Sequence, residues 1–310
     1  MSNGTPDQNP NEELRQHLLG MGCMALAAIV FPVKDSFIKA QDERVPALLA
    51  IAVYFLAQFV IGMAALFLTG NPARRNPFSA MTGLHLSRSL ALACSLGLFF
   101  ISLRYVPIAV AVTLFTMQSL FCLLFAKLLL NEAIRPIHIV FVAIATGGVL
   151  LIIRPSQLDA NALTNLMPVI SAALFGLYII LTRKLGGAQS HFQLLCQDGA
   201  IATILFGGLY LVVLGAGEGT IPAIVWDPVL FLLPPVLAAA IGTVSSTMMI
   251  SAARLAPAVK IAPASYLEIA SAALIGTFVF GEILDFITCV GIAVIVAVCL
   301  ANALINDPHS

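Results

Sequence analysis

The sequence predicts an all-α membrane protein whose ten transmembrane helices form two five-helix repeats of inverted topology. Two observations lead to this fold class. First, 60% of the 310 residues are hydrophobic and 10% are charged, against roughly 25% charged residues in an ordinary soluble domain. Long apolar stretches recur along the whole chain, which indicates several membrane crossings. Second, a pattern of arginine, proline and glutamate in the first half recurs 150 residues later in the second half.

Ten segments are long and apolar enough for a helix that crosses a bilayer, which takes roughly 20 residues. They are 18–39, 46–69, 84–104, 107–130, 136–153, 163–182, 192–214, 229–253, 257–280 and 284–304. Most connections are only a few residues long, so successive helices are expected to be antiparallel neighbours. The chain is accordingly divided into a disordered N-terminal tail (1–17), a first five-helix repeat (18–154), a linker (155–162), a second repeat (163–305) and a short tail (306–310).

The positions of lysine and arginine predict that both termini are cytoplasmic. With the N-terminus inside, ten of the 15 basic residues lie at cytoplasmic helix ends and five at external ends. This distribution agrees with the excess of positive charge on the cytoplasmic side of membrane proteins. The expected location is the inner (plasma) membrane, which the chain crosses several times.

The repeated pattern brackets the fourth helix of each half. Arg104-Tyr-Val-Pro107 precedes the fourth span and Asn131-Glu132 follows it, whereas Arg254-Leu-Ala-Pro257 and Gly281-Glu282 bracket the ninth span. A repeat of fixed period indicates a duplicated structural unit. Because five is an odd number, the second unit enters the membrane from the opposite side. Inverted-topology repeats of this kind are typical of secondary transporters.

Several short motifs resemble the EamA-type branch of the drug/metabolite transporter superfamily. They are Tyr105-Val-Pro-Ile-Ala-Val-Ala before the fourth span, the pairs Asn131-Glu132 and Gly281-Glu282, Tyr266-Leu-Glu268, and Asp35-Ser-Phe-Ile-Lys39. The sequence departs from the family pattern at Asn131, where glycine is usual, and at Ile269, where proline is usual. The resemblance implies ten helices in two repeats. It also implies transport of small organic solutes by exchange or facilitated movement, without ATP.

Glu268 lies near the middle of the predicted ninth span, where the offset pairs it with Gln118 of the fourth span. A charged side chain at that depth costs roughly 2.5–3.5 kcal/mol on insertion scales, so Glu268 is expected to face protein or water. Helical spacing puts Ser265, Glu268, Ala272 and Gly276 on one face, which would suit a cavity wall or a close helix contact. Glu268 is therefore a candidate ligand for a cationic group or a proton-coupling carboxyl. The alternative is a hydrogen bond that only holds two helices together.

Three further polar residues are candidates for the translocation path. The amide of Gln118 offers donors and an acceptor to a ligand of mixed polarity, although an interhelical hydrogen bond would account for it equally well. Lys34 and Asp35 follow Pro32, which removes a helix hydrogen bond in the outer half of the first span. As neighbours in a helix they point to different faces and are not expected to neutralise each other. Snorkelling of Lys34 to the membrane surface is the alternative.

The remaining candidates are aromatic residues and residues at helix ends. Side chains that would stack on a substrate or hydrogen-bond to it are Tyr54, Tyr178, Ser265 and Tyr266, although aromatic residues in helix bundles more often belong to the core. Glu132 and Glu282 follow helix ends, where a carboxylate can cap the next helix. Together with Pro32 and Pro263, they are predicted to have a structural or gating role rather than to bind substrate.

These features predict a secondary active or facilitative transporter of small polar or amphiphilic organic metabolites, such as amino-acid-like, nucleobase-like or vitamin-like compounds. Alternating access is the expected mechanism, and export is the favoured direction. The expected partners are the substrate, the lipid bilayer and protons as the candidate coupling ion, in a monomer or a homodimer. A membrane scaffold or sensor that transports nothing is the alternative.

An intramembrane enzyme is disfavoured by the motifs. The sequence has no Gly-x-Gly-Asp pair, no His-Glu-x-x-His, no aspartate-rich diphosphate motif and no Walker A motif. The five histidines are scattered, and the six cysteines lie in apolar segments without metal-ligand spacing. No catalytic residue, metal or cofactor is therefore expected. The scattered basic residues also disfavour a nucleic-acid partner.

Overall fold

The computed structural model describes residues 10–68, 76–78, 81–130, 136–153, 160–185, 189–217, 228–256 and 264–305. Within these residues the secondary structure consists of helices, without strands. The helices are α1 (Pro10–Lys39), α2 (Ala47–Leu68), α3 (Gly83–Ser102), α4 (Ile108–Thr116), α5 (Gln118–Leu130), α6 (Pro136–Ile153), α7 (Ala160–Lys184), α8 (His191–Gly215), α9 (Pro228–Leu255), α10 (Leu267–Phe280) and α11 (Phe286–Ile305).

The lengths and apolarity of these helices confirm a membrane protein with several crossings. Seven helical stretches in the described residues are long and apolar enough to span a bilayer: Leu14–Lys39, Ala47–Leu68, Gly83–Ser102, Ile108–Leu130, Leu166–Lys184, His191–Gly215 and Leu232–Ala252. Three shorter apolar helices are Ala143–Ile152, Leu267–Phe280 and Phe286–Val298. The prediction of ten full crossings stays a prediction.

The first helix corrects the predicted boundary of the N-terminal tail. Helix α1 begins at Pro10, so residues 10–17, which the sequence analysis assigned to a disordered tail, form its first turns. Proline is well suited to a first helical position, because its fixed φ angle fits the helix and its missing N–H would have no partner there. The tail segments 1–9 and 306–310, and residues 155–159 of the linker, lie outside the described residues.

Two of the predicted spans are interrupted at points that differ by one position in the 150-residue repeat, Met117 and Tyr266. Met117 separates α4 from α5, where the Leu120 N–H donates to the Met117 carbonyl at 2.9 Å, three residues back instead of four. Tyr266 precedes α10 in the same way, and the Ile269 N–H donates to the Tyr266 carbonyl at 3.1 Å. Glu268 therefore lies in the first turn of α10, which corrects its predicted place at the centre of a continuous helix. The predicted stripe that included Ser265 is broken at Tyr266.

The helices of the two halves are interleaved rather than packed as separate domains. Among the described residues, α1 packs along α9, α2 along α8, α3 along α7 and α6 along α11. Smaller contacts join α2 to α9, α3 to α8, α5 to α7, α1 to α10 and α4 to α10. Each of these contacts joins a helix of residues 10–153 to a helix of residues 160–305. One hydrophobic core accordingly runs through both halves.

Glycine allows the closest of these helix contacts. A Cβ atom on Gly199 of α8 would lie 2.8 Å from the Phe59 nitrogen and 2.9 Å from the Phe55 carbonyl oxygen of α2. Both obstacles are backbone atoms, which have no rotamer to change. Small residues allow such close approach of helices in membrane proteins, where lipid offers no hydrophobic driving force for association.

Candidate functional site

The first buried charged group lies in α1, two residues after Pro32. The Lys34 Nζ and the Asp35 Oδ1 lie 2.5 Å apart, and the two side chains are 7% and 2% exposed. This ion pair corrects the expectation that neighbouring residues in a helix cannot neutralise each other. The four-carbon chain of lysine is flexible, so its ammonium group reaches back to the adjacent carboxylate.

Aromatic rings surround the Lys34 ammonium group. The Nζ lies 5.1 Å from the ring centroid of Phe100, 5.8 Å from that of Phe31 and 6.0 Å from that of Phe99. A cation within about 6 Å of a ring face is stabilised by the negative potential of that face. The lysine stem also packs on α9, where a Cβ on Gly242 would lie 2.9 Å from the Lys34 Cδ and 3.1 Å from the Tyr54 hydroxyl.

Glu268 joins this group from α10. It interacts electrostatically with both Asp35 and Lys34. The group formed by Lys34, Asp35, Tyr54 and Glu268, here called the Lys34 cluster, therefore contains two carboxyl groups and one ammonium group. If both carboxyl groups are ionised, one negative charge has no counter-charge. A buried uncompensated charge is costly, so the cluster favours a proton or a bound cationic group.

A second buried charged group, the Arg88 cluster, joins α3, α7 and α8. It consists of Arg88, Ser89, Tyr178, Thr182 and Asp198. Arg88 Nη2 donates to Asp198 Oδ2 at 2.7 Å and to the Tyr178 hydroxyl at 3.2 Å, and Arg88 Nε donates to Thr182 Oγ1 at 2.9 Å. Ser89 donates to the other carboxylate oxygen of Asp198 at 2.6 Å. The side chains of Arg88 and Asp198 are 0% and 3% exposed.

Sequence reasoning singled out Tyr178 of the Arg88 cluster but missed the ion pair. Arg88 is one of the ten basic residues predicted to lie at cytoplasmic helix ends, and Asp198 was not singled out. The signal was nevertheless present, because Asp198 is an acidic residue inside the predicted span 192–214. An ionisable residue within a membrane span calls for a partner and often marks a functional site.

A continuous series of aromatic contacts, here called the aromatic run, connects the two clusters. Its ring-centroid distances are 4.9 Å for Tyr54–Phe100, 6.3 Å for Phe100–Phe99, 4.9 Å for Phe99–Phe115, 5.1 Å for Phe115–Phe175 and 5.3 Å for Phe175–Tyr178. At one end Lys34 lies over Phe100, and at the other end the Arg88 guanidinium carbon lies 4.9 Å from the Tyr178 ring centroid. Each end of the run therefore has a buried cation paired with a carboxylate.

Gln118 and Glu268, which the repeat pairs, have different surroundings. Glu268 interacts with Lys34 and Asp35. Gln118 begins α5 and packs on α7, where a Cβ on Gly176 would lie 3.1 Å from the Gln118 carbonyl oxygen. The Gln118 side-chain Oε1 is buried and accepts no hydrogen bond from the described residues.

Glu282 connects three elements at one end of the bundle. Its Oε1 lies 2.7 Å from Lys39 Nζ, and its Oε2 accepts a hydrogen bond from the Ile108 N–H at 3.0 Å. Glu282 thus caps the start of α4, not of the helix that follows it in the chain. Lys39 also donates to the carbonyls of Leu103 and Val106, at 3.0 and 2.8 Å.

The two glycines near Glu282 explain the Gly-Glu motif. Gly281 has a φ of 65°, a left-handed conformation that glycine adopts without steric cost. This turn lets the Glu282 N–H donate to the Gly276 carbonyl at 2.9 Å. It also folds the Glu282 side chain back over Gly276, where a Cβ atom would collide with the carboxylate. The motif therefore aims one carboxylate at Lys39 and at α4.

The other predicted site residues lie around the start of α10 or outside the described part of the chain. Ser265 and Tyr266 directly precede α10, and both are half-buried. Tyr266 packs against the core. Glu132 and Pro263 lie outside the described residues.

The first half of this bundle matches a known protein family in sequence. The model of the EamA-like transporter family matches residues 17–154. This half is EamA-like. The match confirms the resemblance predicted from the sequence, and the EamA-like segment extends from α1 through α6. A second EamA-like unit in residues 163–305 stays a prediction.

Two curated proteins that are similar to this chain are named riboflavin transporters. The protein from Brucella anthropi is 27% identical over 141 residues, which cover 46% of this chain and 48% of that protein. The protein from Rhizobium johnstonii is 29% identical over 127 residues, which cover 41% of this chain and 42% of that protein. The chain spans about half the length of the curated relatives it matches.

A solved crystal structure supports the fold over nearly the whole chain. It aligns with a TM-score of 0.59 at 15% identity and covers 96% of this chain and 100% of the other. At this identity the likeness concerns the fold alone.

Proposed function

We propose that the protein is a secondary active or facilitative transporter that carries small polar or amphiphilic organic metabolites by alternating access. The observation that carries the proposal is the Lys34 cluster, in which two carboxyl groups and one ammonium group are gathered among membrane-spanning helices. Intramembrane ionisable groups mark substrate and ion pathways by default. The EamA-like match and the two riboflavin transporters support the same class.

The packing of the helices supports two inverted repeats as the basis of this mechanism. The proposed repeat relates each helix of the first half to one helix of the second half, namely α1 to α7, α2 to α8, α3 to α9, α4–α5 to α10 and α6 to α11. When the related helices are exchanged, the α1–α9 contact becomes α7–α3, and the α5–α7 contact becomes α10–α1. Both members of each pair are observed. The contacts α2–α8 and α6–α11 become themselves. An axis that relates the halves in this way lies in the membrane plane in known inverted-repeat transporters. The halves then enter from opposite sides, with both termini in the cytoplasm.

Riboflavin is the first substrate to test. Two relatives carry its name, and the aromatic run offers ring faces on which a planar ring system can stack. The polar side chain of riboflavin would form hydrogen bonds with the charged groups at the ends of that run. We extend the proposal to planar, amphiphilic metabolites of this kind.

Glu268 is the proposed coupling carboxyl of the Lys34 cluster. Lys34 and Asp35 neutralise each other, so Glu268 is the group whose charge would change when a proton or a cationic substrate binds. A protonated Glu268 would leave the cluster neutral while access to the binding region changes from one side of the membrane to the other.

Counterflow of labelled riboflavin in proteoliposomes tests this function. The wild type is expected to exchange riboflavin with a rate that depends on pH, and Glu268→Gln is expected to exchange without that dependence. Glu43→Gln is the matched control, because Glu43 is exposed in the turn after α1. In the same turn, hydrogen bonds from Arg44 lower the pKa of Asp42 to about 2, so Asp42 stays charged throughout the assay.

Each outcome of the counterflow assay has a defined meaning. A wild type that does not exchange riboflavin would exclude riboflavin as the substrate. A Glu268→Gln variant with unchanged pH dependence would remove Glu268 from coupling. Export, the direction that the sequence favours, predicts faster loss of riboflavin from cells that contain the protein than from cells without it. Size measurement in detergent distinguishes the expected monomer from a homodimer.

A further inference from the structure

One ion pair and three hydrogen bonds, here called the Lys39 cluster, join the end of α1 to α3, α4 and α10. The cluster consists of Lys39, Leu103, Val106, Ile108 and Glu282. Lys39 pairs with Glu282 and donates to the carbonyls of Leu103 and Val106. The other oxygen of Glu282 accepts a hydrogen bond from the Ile108 N–H. Glu282 belongs to the second half of the chain and the other four residues to the first half, so the cluster joins the two halves.

The Arg88 cluster also joins the two halves. Arg88 lies in α3 of the first half, and its ion-pair partner Asp198 lies in α8 of the second half. Two side chains of α7 also accept hydrogen bonds from the guanidinium group. The Lys34–Asp35 pair differs, because both of its residues lie in α1. Two of the three ion pairs inside the described bundle therefore cross from one half to the other.

Helix α3 carries these two clusters at its opposite ends. Arg88 is the sixth residue of α3, and Leu103 directly follows the last residue of α3. At 1.5 Å per residue, the stretch from Arg88 to Leu103 is about 22 Å long, which is most of the roughly 30 Å of a hydrocarbon core. In the proposed topology α3 begins at the cytoplasmic side. The Arg88 cluster then lies toward the cytoplasm and the Lys39 cluster toward the outside.

Phe115 of the aromatic run lies between the two clusters. It follows Ile108 by seven residues in α4, which is about 10 Å along the helix. On its other side it contacts Phe175, which contacts Tyr178 of the Arg88 cluster. A solute that reaches this part of the aromatic run from either side of the membrane therefore has to pass one of the two clusters.

We propose that the Lys39 cluster is the external gate of the transport cycle and the Arg88 cluster the cytoplasmic gate. Opening one side separates helices that the cluster on that side joins, so the ion pair of that cluster breaks in the same step. Both ion pairs are formed in this structure, which is accordingly the state in which both gates are closed. This inference rests on the proposed transport function.

The two gates differ in how readily they open. The side chains of Lys39 and Glu282 are 16% and 12% exposed, whereas those of Arg88 and Asp198 are 0% and 3% exposed. A pair that water already reaches loses less when it separates, while breaking a fully buried pair leaves two charges without compensation. The external gate therefore opens more readily than the cytoplasmic gate.

The test measures access to a cysteine placed between the gates. Phe115→Cys is introduced into the full-length chain, in which alanine replaces the six native cysteines. Sealed vesicles of either orientation are treated with a membrane-impermeant thiol reagent. The reporter cysteine is expected to react from both sides, and faster from the external side. Faster reaction from the cytoplasmic side would contradict the difference between the gates. The measurement needs no substrate.

Two variants open one gate each. Glu282→Gln keeps an acceptor for the Ile108 N–H but loses the charge that holds Lys39, so the reporter should react about tenfold faster from the external side alone. Asp198→Asn should have the same effect from the cytoplasmic side alone. Ser89→Ala keeps the ion pair and removes only one hydrogen bond to Asp198. It should raise the cytoplasmic rate by a smaller factor, and it tests this gate even if Asp198→Asn does not fold.

Asp42→Asn is the matched control. Asp42 also forms an ion pair at the Lys39 end of α1, but its partner Arg44 lies in the same turn and is 73% exposed. This pair joins no helices, so its loss should leave the reaction of the reporter cysteine unchanged from both sides.

The outcomes separate the gates from the transport proposal. Equal acceleration from both sides, acceleration by Asp42→Asn, or unchanged rates in all gate variants would overturn the gates, and riboflavin counterflow by the native chain would still support transport. One-sided acceleration without riboflavin counterflow would support the gates and exclude riboflavin as the substrate. A reporter that no variant makes reactive, together with absent counterflow, would overturn both proposals.

Discussion

At the scale of single residues, three ion pairs join charged side chains inside the described part of the bundle. Lys34 is paired with Asp35, Arg88 with Asp198, and Lys39 with Glu282. Glu282 of the Lys39–Glu282 pair also makes a second contact, because its carboxylate caps the start of α4. Breaking a buried pair from one side is costly, because the remaining charge keeps its desolvation without its partner.

The contacts of Glu282 predict an order of stability among variants. Glu282→Gln keeps an oxygen that can accept from the Ile108 N–H but loses the charge that pairs with Lys39. Glu282→Leu loses both and should destabilise the fold by about 3 kcal/mol, with Glu282→Gln about 1 kcal/mol less affected because the cap survives. Thermal unfolding in detergent measures this order. Equal melting temperatures for Glu282→Leu and the wild type would contradict the structural role.

Single-residue features differ in how far the sequence could predict them. Glu268, Lys34 and Asp35 could be predicted as candidates, because a charge inside an apolar stretch is visible in the sequence. Their grouping could not, since the approach of Lys34 to its neighbour depends on a rotamer that packing selects. The pairing of Arg88 with Asp198 joins positions 110 residues apart, and only the helix packing brings them together.

At the scale of the elements, most of the described helices begin and end close to the predicted spans, whereas α1 begins eight residues before its span and α10 begins ten residues after the start of its span. The spans were predictable because their apolar length is set by membrane thickness. The interruptions at Met117 and Tyr266 were not, because neither position carries proline or glycine. These breaks come one residue before Gln118 and two residues before Glu268 in the chain, so the two polar residues that the repeat relates both lie in the first turn of a helix. Broken helices of this kind are common at the binding sites of transporters.

The contact between α2 and α8 predicts opposite effects for two substitutions in one helix. Gly199→Ala puts a methyl group against backbone atoms of α2 and should destabilise the protein by about 1–3 kcal/mol, the usual effect of overpacking. Gly207→Ala in the same helix meets nothing within 4 Å and should stabilise it by about 0.5–1 kcal/mol, because alanine favours the helix. Unfolding in detergent compares the two. A Gly199→Ala variant as stable as the wild type would contradict this prediction, because it would show that α2 and α8 can move apart without a loss of stability.

At the scale of the whole molecule, the interleaved packing makes each half dependent on the other. The extensive described contacts join the halves, and the helices within one half contact each other little. A five-helix half therefore exposes the faces that its counterpart should cover. Sequence hydropathy predicted two repeats, but it could not distinguish interleaved halves from two side-by-side domains, because both arrangements require the same apolar spans.

Interleaving predicts that separately expressed halves assemble with each other and are unstable alone. Fragments 1–156 and 157–310, cut between α6 and α7, should co-purify when they are produced together and should restore the flavin exchange of the intact chain. Either fragment alone should be degraded or aggregate, because its helix faces lack their partners. Accumulation of fragment 1–156 as a stable, soluble species in detergent would contradict this prediction.

The charge pairs also determine how the protein responds to membrane voltage. Each of the three ion pairs has no net charge, so a neutral solute that moves among them carries no current. One elementary charge that crosses 100 mV is worth about 2.3 kcal/mol, and Glu268 is the carboxyl of the Lys34 cluster left without a counter-charge. In proteoliposomes, the net rate of flavin transport by the wild type should therefore change when valinomycin and potassium set a membrane potential, and the rate of transport by Glu268→Gln should not. Glu268, the one carboxylate of the Lys34 cluster without a counter-charge, would then be the group on which the membrane potential acts during the transport cycle.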